Sequence, residues 1–235
     1  MGFPRLAISR SSASTRRSTF HYIYIYMIIS SIFKNRSYFI VNMKTLYFIR
    51  HGLALHNQLF HKEGAKAFYD PRGIDAPLIK EGWTQSSRLN ETINDFSIDL
   101  VLVSPLLRTL QTANEVFRGT NIPIKCVENL REYPIGSQTC NQRVPIEKRM
   151  REFTRIDFSE IGRNPEIDYQ ESDETIFDLD LRIASMKEYI RDIPHSNIAI
   201  VSHSSFIGQW KDNHIRYIEN GDIELKHCHP YASKL

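Results

Sequence analysis

Acidic residues are absent from the first 42 positions of this 235-residue chain, which carry Arg5, Arg10, Arg16, Arg17, Lys34 and Arg36. From Met43 onward, 24 of the 30 basic residues face all 27 acidic ones, so the formal net charge of +3 conceals a mildly acidic remainder. The basic balance therefore gives no support to nucleic-acid binding. Cysteine is scarce. Cys126, Cys140 and Cys228 are too few and too scattered for a disulfide framework, which suits a reducing, cytoplasmic setting. Long apolar runs are missing as well: Tyr22–Phe33 falls well short of the roughly 20 residues that span a bilayer, and no membrane partner is expected. No internal repeat is found. His227-Cys228-His229 fits no common zinc spacing, and with no cysteine pair elsewhere it reads as a solvated C-terminal tail, with no metal or other cofactor expected.

The acid-free stretch 1–42 has three competing readings: an Arg- and Ser-rich organelle-targeting segment, a short anchor, or an extension upstream of a true start at Met43. The last is preferred, because Met43 immediately precedes the first strand; a disordered tail is the plain alternative. With 41% hydrophobic and 24% charged residues, the remainder can bury a sizeable core. One domain is expected over 43–235.

That domain is organised around Thr45–Asn57. The β-branched and aromatic run Thr45–Ile49 predicts a buried strand that stops at Arg50-His51-Gly52. Residues 58–77 look irregular. Helical spacing covers 80–95, and Ile98–Val103 predicts a second strand. Ser104-Pro105 follows as an N-cap and first helical residue, opening a helix to about Phe117. A short strand is expected at 123–127 and a second amphipathic helix at 175–191. A further strand, Asn197–Ser202, stops at His203. Between them, 134–175 is charged and patternless and is expected to lie over the sheet as a lid that selects substrate. Strands alternating with helices predict an α/β fold, a mainly parallel central sheet with helices on both faces.

In a parallel sheet the strand ends at Arg50-His51, Ser104 to Arg108 and Ser202-His203 converge on one edge, where such folds keep their ligands. Gathering two arginines and two histidines there is costly unless an anion balances them, and phosphate fits guanidinium bidentately.

Arg50-His51-Gly52, Ser104-Pro105-x-x-Arg108-x-x-x-Thr112-Ala113, Glu132 and Ser202-His203 together resemble the histidine phosphatase superfamily, which includes phosphoglycerate mutases, over about 45–210. The resemblance implies that His51 is a nucleophile forming a phosphohistidine. It implies that Arg50, Arg108 and His203 hold the phosphoryl oxygens with Asn57, and that Glu132 is the general acid, with Glu128 its nearby rival. The charge that metals supply elsewhere would come from these side chains. Leu78-Ile79-Lys80-Glu81-Gly82 departs from the family's Leu-Thr-x-x-Gly, so Ile79 cannot cap the following helix. Only Asn57 is kept from the mutases' Glu-Ser-x-Trp-Asn. The stretch Arg131-Glu132, Gly136, Cys140-Asn141-Gln142-Arg143 looks like a eukaryotic mutase-like branch, for which phosphatase activity on a small phosphorylated substrate is the expectation. A phosphoglycerate mutase and a non-catalytic scaffold are the alternatives. Arg143 is either a second phosphate contact or part of a solvated charged face.

Overall fold

In the computed structural model, residues 43–161, 172–215 and 224–235 are described, and Met43–Leu235 cluster as one unit. The expected extension 1–42 lies outside the described residues. Six strands form one sheet in the order β4-β3-β2-β5-β1-β6. They are β1 (Thr45–Arg50), β2 (Leu100–Val103), β3 (Ile124–Cys126), β4 (Ile156–Asp157), β5 (Asn197–Ser202) and β6 (Pro230–Lys234). The first five run parallel, and β6 adds antiparallel to β1.

The period-2 alternation of the strands sorts their side chains into two cores. Ile49, Val101, Val103, Ala199 and Val201 point to one face, which is covered by α2 (Lys80–Asn90), α3 (Leu107–Val116) and α4 (Ile146–Glu152). Leu46, Phe48, Leu102, Ile198 and Ile200 point to the other, covered by α5 (Ile176–Asp192) and α6 (Ser204–Asp212). Full burial of each large apolar side chain contributes roughly 1.5–3 kcal/mol. Helix α5 illustrates the local logic. Leu179, Ile183, Met186 and Ile190 recur at helical spacing on its buried face, and Thr175 with Asp178 closes a reciprocal capping box. Among the described residues no helix is long and apolar enough to cross a membrane.

Several expectations need correction. Helix α2 ends at Asn90, and Ile93–Phe96 form a separate 3-10 turn. Its N-cap, Ile79, makes no side-chain bond, as its chemistry demands. What fixes this end is close packing: a Cβ on Gly82 would meet the Leu53 carbonyl oxygen at 2.1 Å, so only glycine lets the helix seat against the loop after β1. A helix, α1 (Leu55–Glu63), runs into what was read as irregular sequence. The stretch 134–175 is no mere lid, since its described part supplies α4 and edge strand β4, and Ile146, Phe153, Ile156, Phe158 and Ile161 join the core. Nor is the C-terminal tail solvated: it forms β6, and the Cys228 N–H donates to the Arg50 carbonyl at 2.9 Å.

Ser104 does not cap α3. Leu106 occupies that position, and the orphan Leu107 N–H donates to Asp75 Oδ1 at 2.7 Å. Asp75 is buried, and its other oxygen accepts from Arg149 Nη2 at 2.6 Å. Removing one member of a buried ion pair strands the other charge, at a cost of about 3–5 kcal/mol. Arg149 keeps Glu152 Oε2 at 2.5 Å, so Asp75→Ala is expected to destabilise the protein by the lower part of that range, about 3 kcal/mol, read as the midpoint shift in chemical denaturation. A change under about 1 kcal/mol would contradict this role.

Candidate active site

Sheet register assembles the site. Arg50 lies beside Ser202 and Val103 beside Val201, so the next residues, His51, His203 and Ser104, emerge together at the carboxyl edge. The His51 and His203 ring centroids are 5.2 Å apart. Gly52 N–H donates to Thr112 Oγ1 at 2.9 Å, and that hydroxyl donates in turn to the Arg108 carbonyl at 2.7 Å. The Thr of the sequence motif thus ties the turn after His51 to the helix bearing Arg108.

The protonation of His51 follows from its partners. Nδ1 lies 2.8 Å from the Gly52 carbonyl oxygen, and a carbonyl can only accept, so Nδ1 carries the hydrogen and Nε2 keeps its lone pair. Burial holds the imidazole well below its ordinary pKa, helped by the charge of Arg108 and by His203, His227 and His56. The ring is therefore neutral at neutral pH, with a lone pair on Nε2.

The same reasoning fixes His203. Arg108 Nε donates to His203 Nδ1 at 3.3 Å, so Nε2 holds the hydrogen and donates to Ser104 Oγ at 2.8 Å. This bond is what occupies the Ser104 hydroxyl. Arg108, fully buried, also donates to the Cys140 carbonyl at 2.6 Å and to Asn141 Oδ1 at 3.2 Å.

Above these groups opens a cavity lined by Arg50, His51, Asn57, Glu132, Cys140 and Asn141, among others. Arg108 and His203 are not in its lining; they lie behind it. Arg50 Nη1 donates to Glu224 Oε1 at 2.5 Å and to the Leu225 carbonyl at 2.7 Å, while its buried Nε has no partner. Asn57 Oδ1 accepts from Ala54 N–H at 3.1 Å, which leaves its amide NH2 as the free donor end.

Glu132 sits at the amino end of α6. Its carboxylate accepts from Tyr133 N at 2.9 Å, Phe206 N at 3.2 Å and Ser205 N at 3.4 Å. Those bonds and Arg108 favour the charged form, but burial outweighs them and raises its pKa. Glu128, the rival acid, is engaged elsewhere: it accepts from Arg131 Nη1 at 3.1 Å and Arg143 Nε at 3.2 Å. Arg143 is thereby buried outside the cavity lining and is not part of a solvated face.

Three participants escape a reading of the sequence. His56 and Phe60, one helical turn apart on α1, both line the cavity, and His56 Nδ1 is buried without a partner. His227 Nδ1 donates to the His51 carbonyl at 2.6 Å, so the C-terminal tail holds the backbone that carries His51. Burial, with Arg50 next, pushes the His227 pKa down to about 4. His56 precedes Asn57 with nothing beside it to mark a role, and His227, set aside with Cys228 and His229 as a poor zinc pattern, meets a carbonyl 176 residues upstream. Among the described residues no group of three or more His, Cys, Asp or Glu could hold a metal ion.

Comparison with known proteins places the chain in a family. The chain is 29% identical over 197 residues to phosphoglycerate mutase-like protein 1 of Arabidopsis thaliana, covering 70% of this chain and 69% of the relative. It is 26% identical over 171 residues to a protein of Schizosaccharomyces pombe named as a probable phosphatase, covering 68% and 74% of the two chains. In fold it matches the ecdysone phosphate phosphatase of Bombyx mori, solved with tungstate, at a TM-score of 0.55 and 17% identity, over 80% of this chain and 88% of that one. The Shigella flexneri alpha-ribazole phosphatase gives a TM-score of 0.52 at 23% identity, over 80% and 89%. The model of the histidine phosphatase superfamily (branch 1) matches residues 46–215. The chain belongs to that superfamily.

Proposed function

We propose that the protein hydrolyses small phosphomonoesters through a phosphohistidine on His51. The observation that carries this reading is the His51 Nδ1 contact to the Gly52 carbonyl, which leaves a neutral Nε2 lone pair at the cavity wall. Nε2 attacks phosphorus and the bond to the leaving oxygen breaks. That oxygen takes its proton from Glu132. The Glu132 carboxylate then removes a proton from water, whose oxygen attacks phosphorus; the P–N bond breaks, and phosphate and free His51 are regenerated. Arg50 and the Asn57 amide donate to the non-bridging oxygens. Arg108, aligned by His203, adds its charge and reaches an oxygen by exchanging Asn141 Oδ1 for it. These donors supply the positive charge the transition state requires.

The reading is tested by phosphate release from a panel of phosphomonoesters by the full chain, with chelator present. Release is expected; interconversion of phosphoglycerates without release would instead make it a mutase. Against that alternative, Arg143, its candidate second phosphate contact, is paired with Glu128 and is not among the residues lining the cavity.

The two titrating groups set the pH dependence. Activity needs Glu132 protonated, and is lost as pH rises through its raised pKa; it needs His51 neutral, and is lost as pH falls through its depressed pKa. Glu132→Gln is expected to lower kcat/KM, which reports phosphoryl transfer to His51 and not the later water step, by about 10²–10³-fold for an alkyl phosphate and to abolish the alkaline limb of its pH profile. With p-nitrophenyl phosphate, whose leaving group needs no proton, the loss should be much smaller. Equal losses on both substrates would remove Glu132 from the acid role.

A further inference from the structure

The cavity continues past the phosphate groups into an aromatic wall. Phe60 and Phe68 stack with centroids 5.0 Å apart and planes within 16°, and Tyr133 and Pro134 line the same space. The wall is braced: Thr139 Oγ1 bonds the Phe68 carbonyl at 3.0 Å and the Asp70 carbonyl at 2.7 Å, fixing the turn that carries Phe68. Phe60 in turn is set by α1, one turn from His56 and Asn57.

The charge inventory is equally specific. Among the described residues, Arg50 is the one guanidinium lining the cavity and no lysine joins it, whereas Glu132 and Glu224 both do. Glu224 is taken up by Arg50, so beyond the phosphoryl group a second phosphate or a carboxylate would meet aromatic rings and the His61 imidazole, with no lysine or further arginine among the described residues of the lining. An apolar ring would remove its own surface and theirs from water and could stack on the Phe60–Phe68 pair.

We infer that the substrate is the phosphate monoester of an apolar, ring-bearing alcohol with no second anionic group, its ring seated on Phe60 and Phe68. This rests on the phosphatase reading above and names its substrate class. The stacking platform supplies selectivity through binding, so the preference should appear in KM more than in kcat.

The test compares 2-phenylethyl phosphate, ethyl phosphate and 3-phosphoglycerate with the full chain. All three lose an alcohol oxygen of similar intrinsic reactivity, so the comparison isolates the ring and the extra carboxylate. Wild type is expected to favour the phenylethyl ester at least about tenfold in kcat/KM over each of the others, the range that apolar pocket contacts supply. Phe60→Ala and Phe68→Ala should each reduce the phenylethyl-to-ethyl ratio at least about fivefold. Each ratio is taken on one sample, so a loss of folded protein cancels. Turnover without the ring preference, or a ratio unchanged in both variants, overturns this inference alone. No turnover of any of the three overturns the phosphatase reading and this inference with it.

Discussion

Replacing His51 with alanine is expected to reduce kcat for every phosphomonoester by on the order of 10⁴-fold or more, because it removes the imidazole whose Nε2 is placed to attack phosphorus. His56 and His227 lie with ring centroids each 5.5 Å from that of His51, but they play other parts. His227 spends Nδ1 on the His51 carbonyl, and His56 belongs to α1. The fold should survive the change, since among the described residues the His51 side chain bonds only the adjacent carbonyl. Near-ultraviolet circular dichroism matching wild type, together with turnover lost, is the expected pair of results. Turnover within about tenfold of wild type would mean that another group attacks phosphorus.

Arg108→Ala comes next in size. Loss of a preorganised donor to a transferring phosphoryl group lowers kcat by about 10²–10³-fold, and the loss of a full buried charge places this variant at the upper end. The variant also leaves the Cys140 carbonyl, Asn141 Oδ1 and His203 Nδ1 without their donor. An unmet buried polar group costs about 1–3 kcal/mol, so a stability loss of about 3 kcal/mol should accompany the kinetic one. Arg108→Lys separates the two effects: it keeps the charge but cannot fork to three acceptors, and it should recover some kcat while remaining destabilised. Steady-state kinetics and urea denaturation on the same preparations check this. Full activity in either variant would remove Arg108 from phosphoryl transfer.

The legible parts of this chain are those where one local signal sufficed. The run Thr45–Ile49 and its abrupt stop identified β1, and Leu179, Ile183, Met186 and Ile190 identified α5, because burial on a regular face writes its period into the sequence. The same convergence of strand ends brought Arg50, His51, Arg108 and His203 together at one sheet edge. Helix α1 was illegible for the opposite reason: Leu-His-Asn-Gln-Leu-Phe-His-Lys-Glu buries only His56 and Leu59, and Ala54 offers no cap. Strand β6, Pro-Tyr-Ala-Ser-Lys, is an edge with no fully buried residue, so it carries no alternation to read. The helix cap at Leu107 could not be found locally, because its acceptor, Asp75, lies 32 residues upstream, while Ser104 serves His203 instead. His227 is further still, 176 residues from the carbonyl it supports.

The central claim is that phosphate passes through a bond to His51 Nε2, and rapid quenching during turnover tests it most directly. The full chain is mixed with a phosphomonoester, quenched in base within the first turnovers, digested and examined by mass spectrometry. One phosphoryl group on the peptide containing His51, acid-labile and absent from His51→Ala, is the predicted result. Steady turnover by wild type with no phosphorylated His51 peptide at any quench time, in one direct transfer to water, would contradict it.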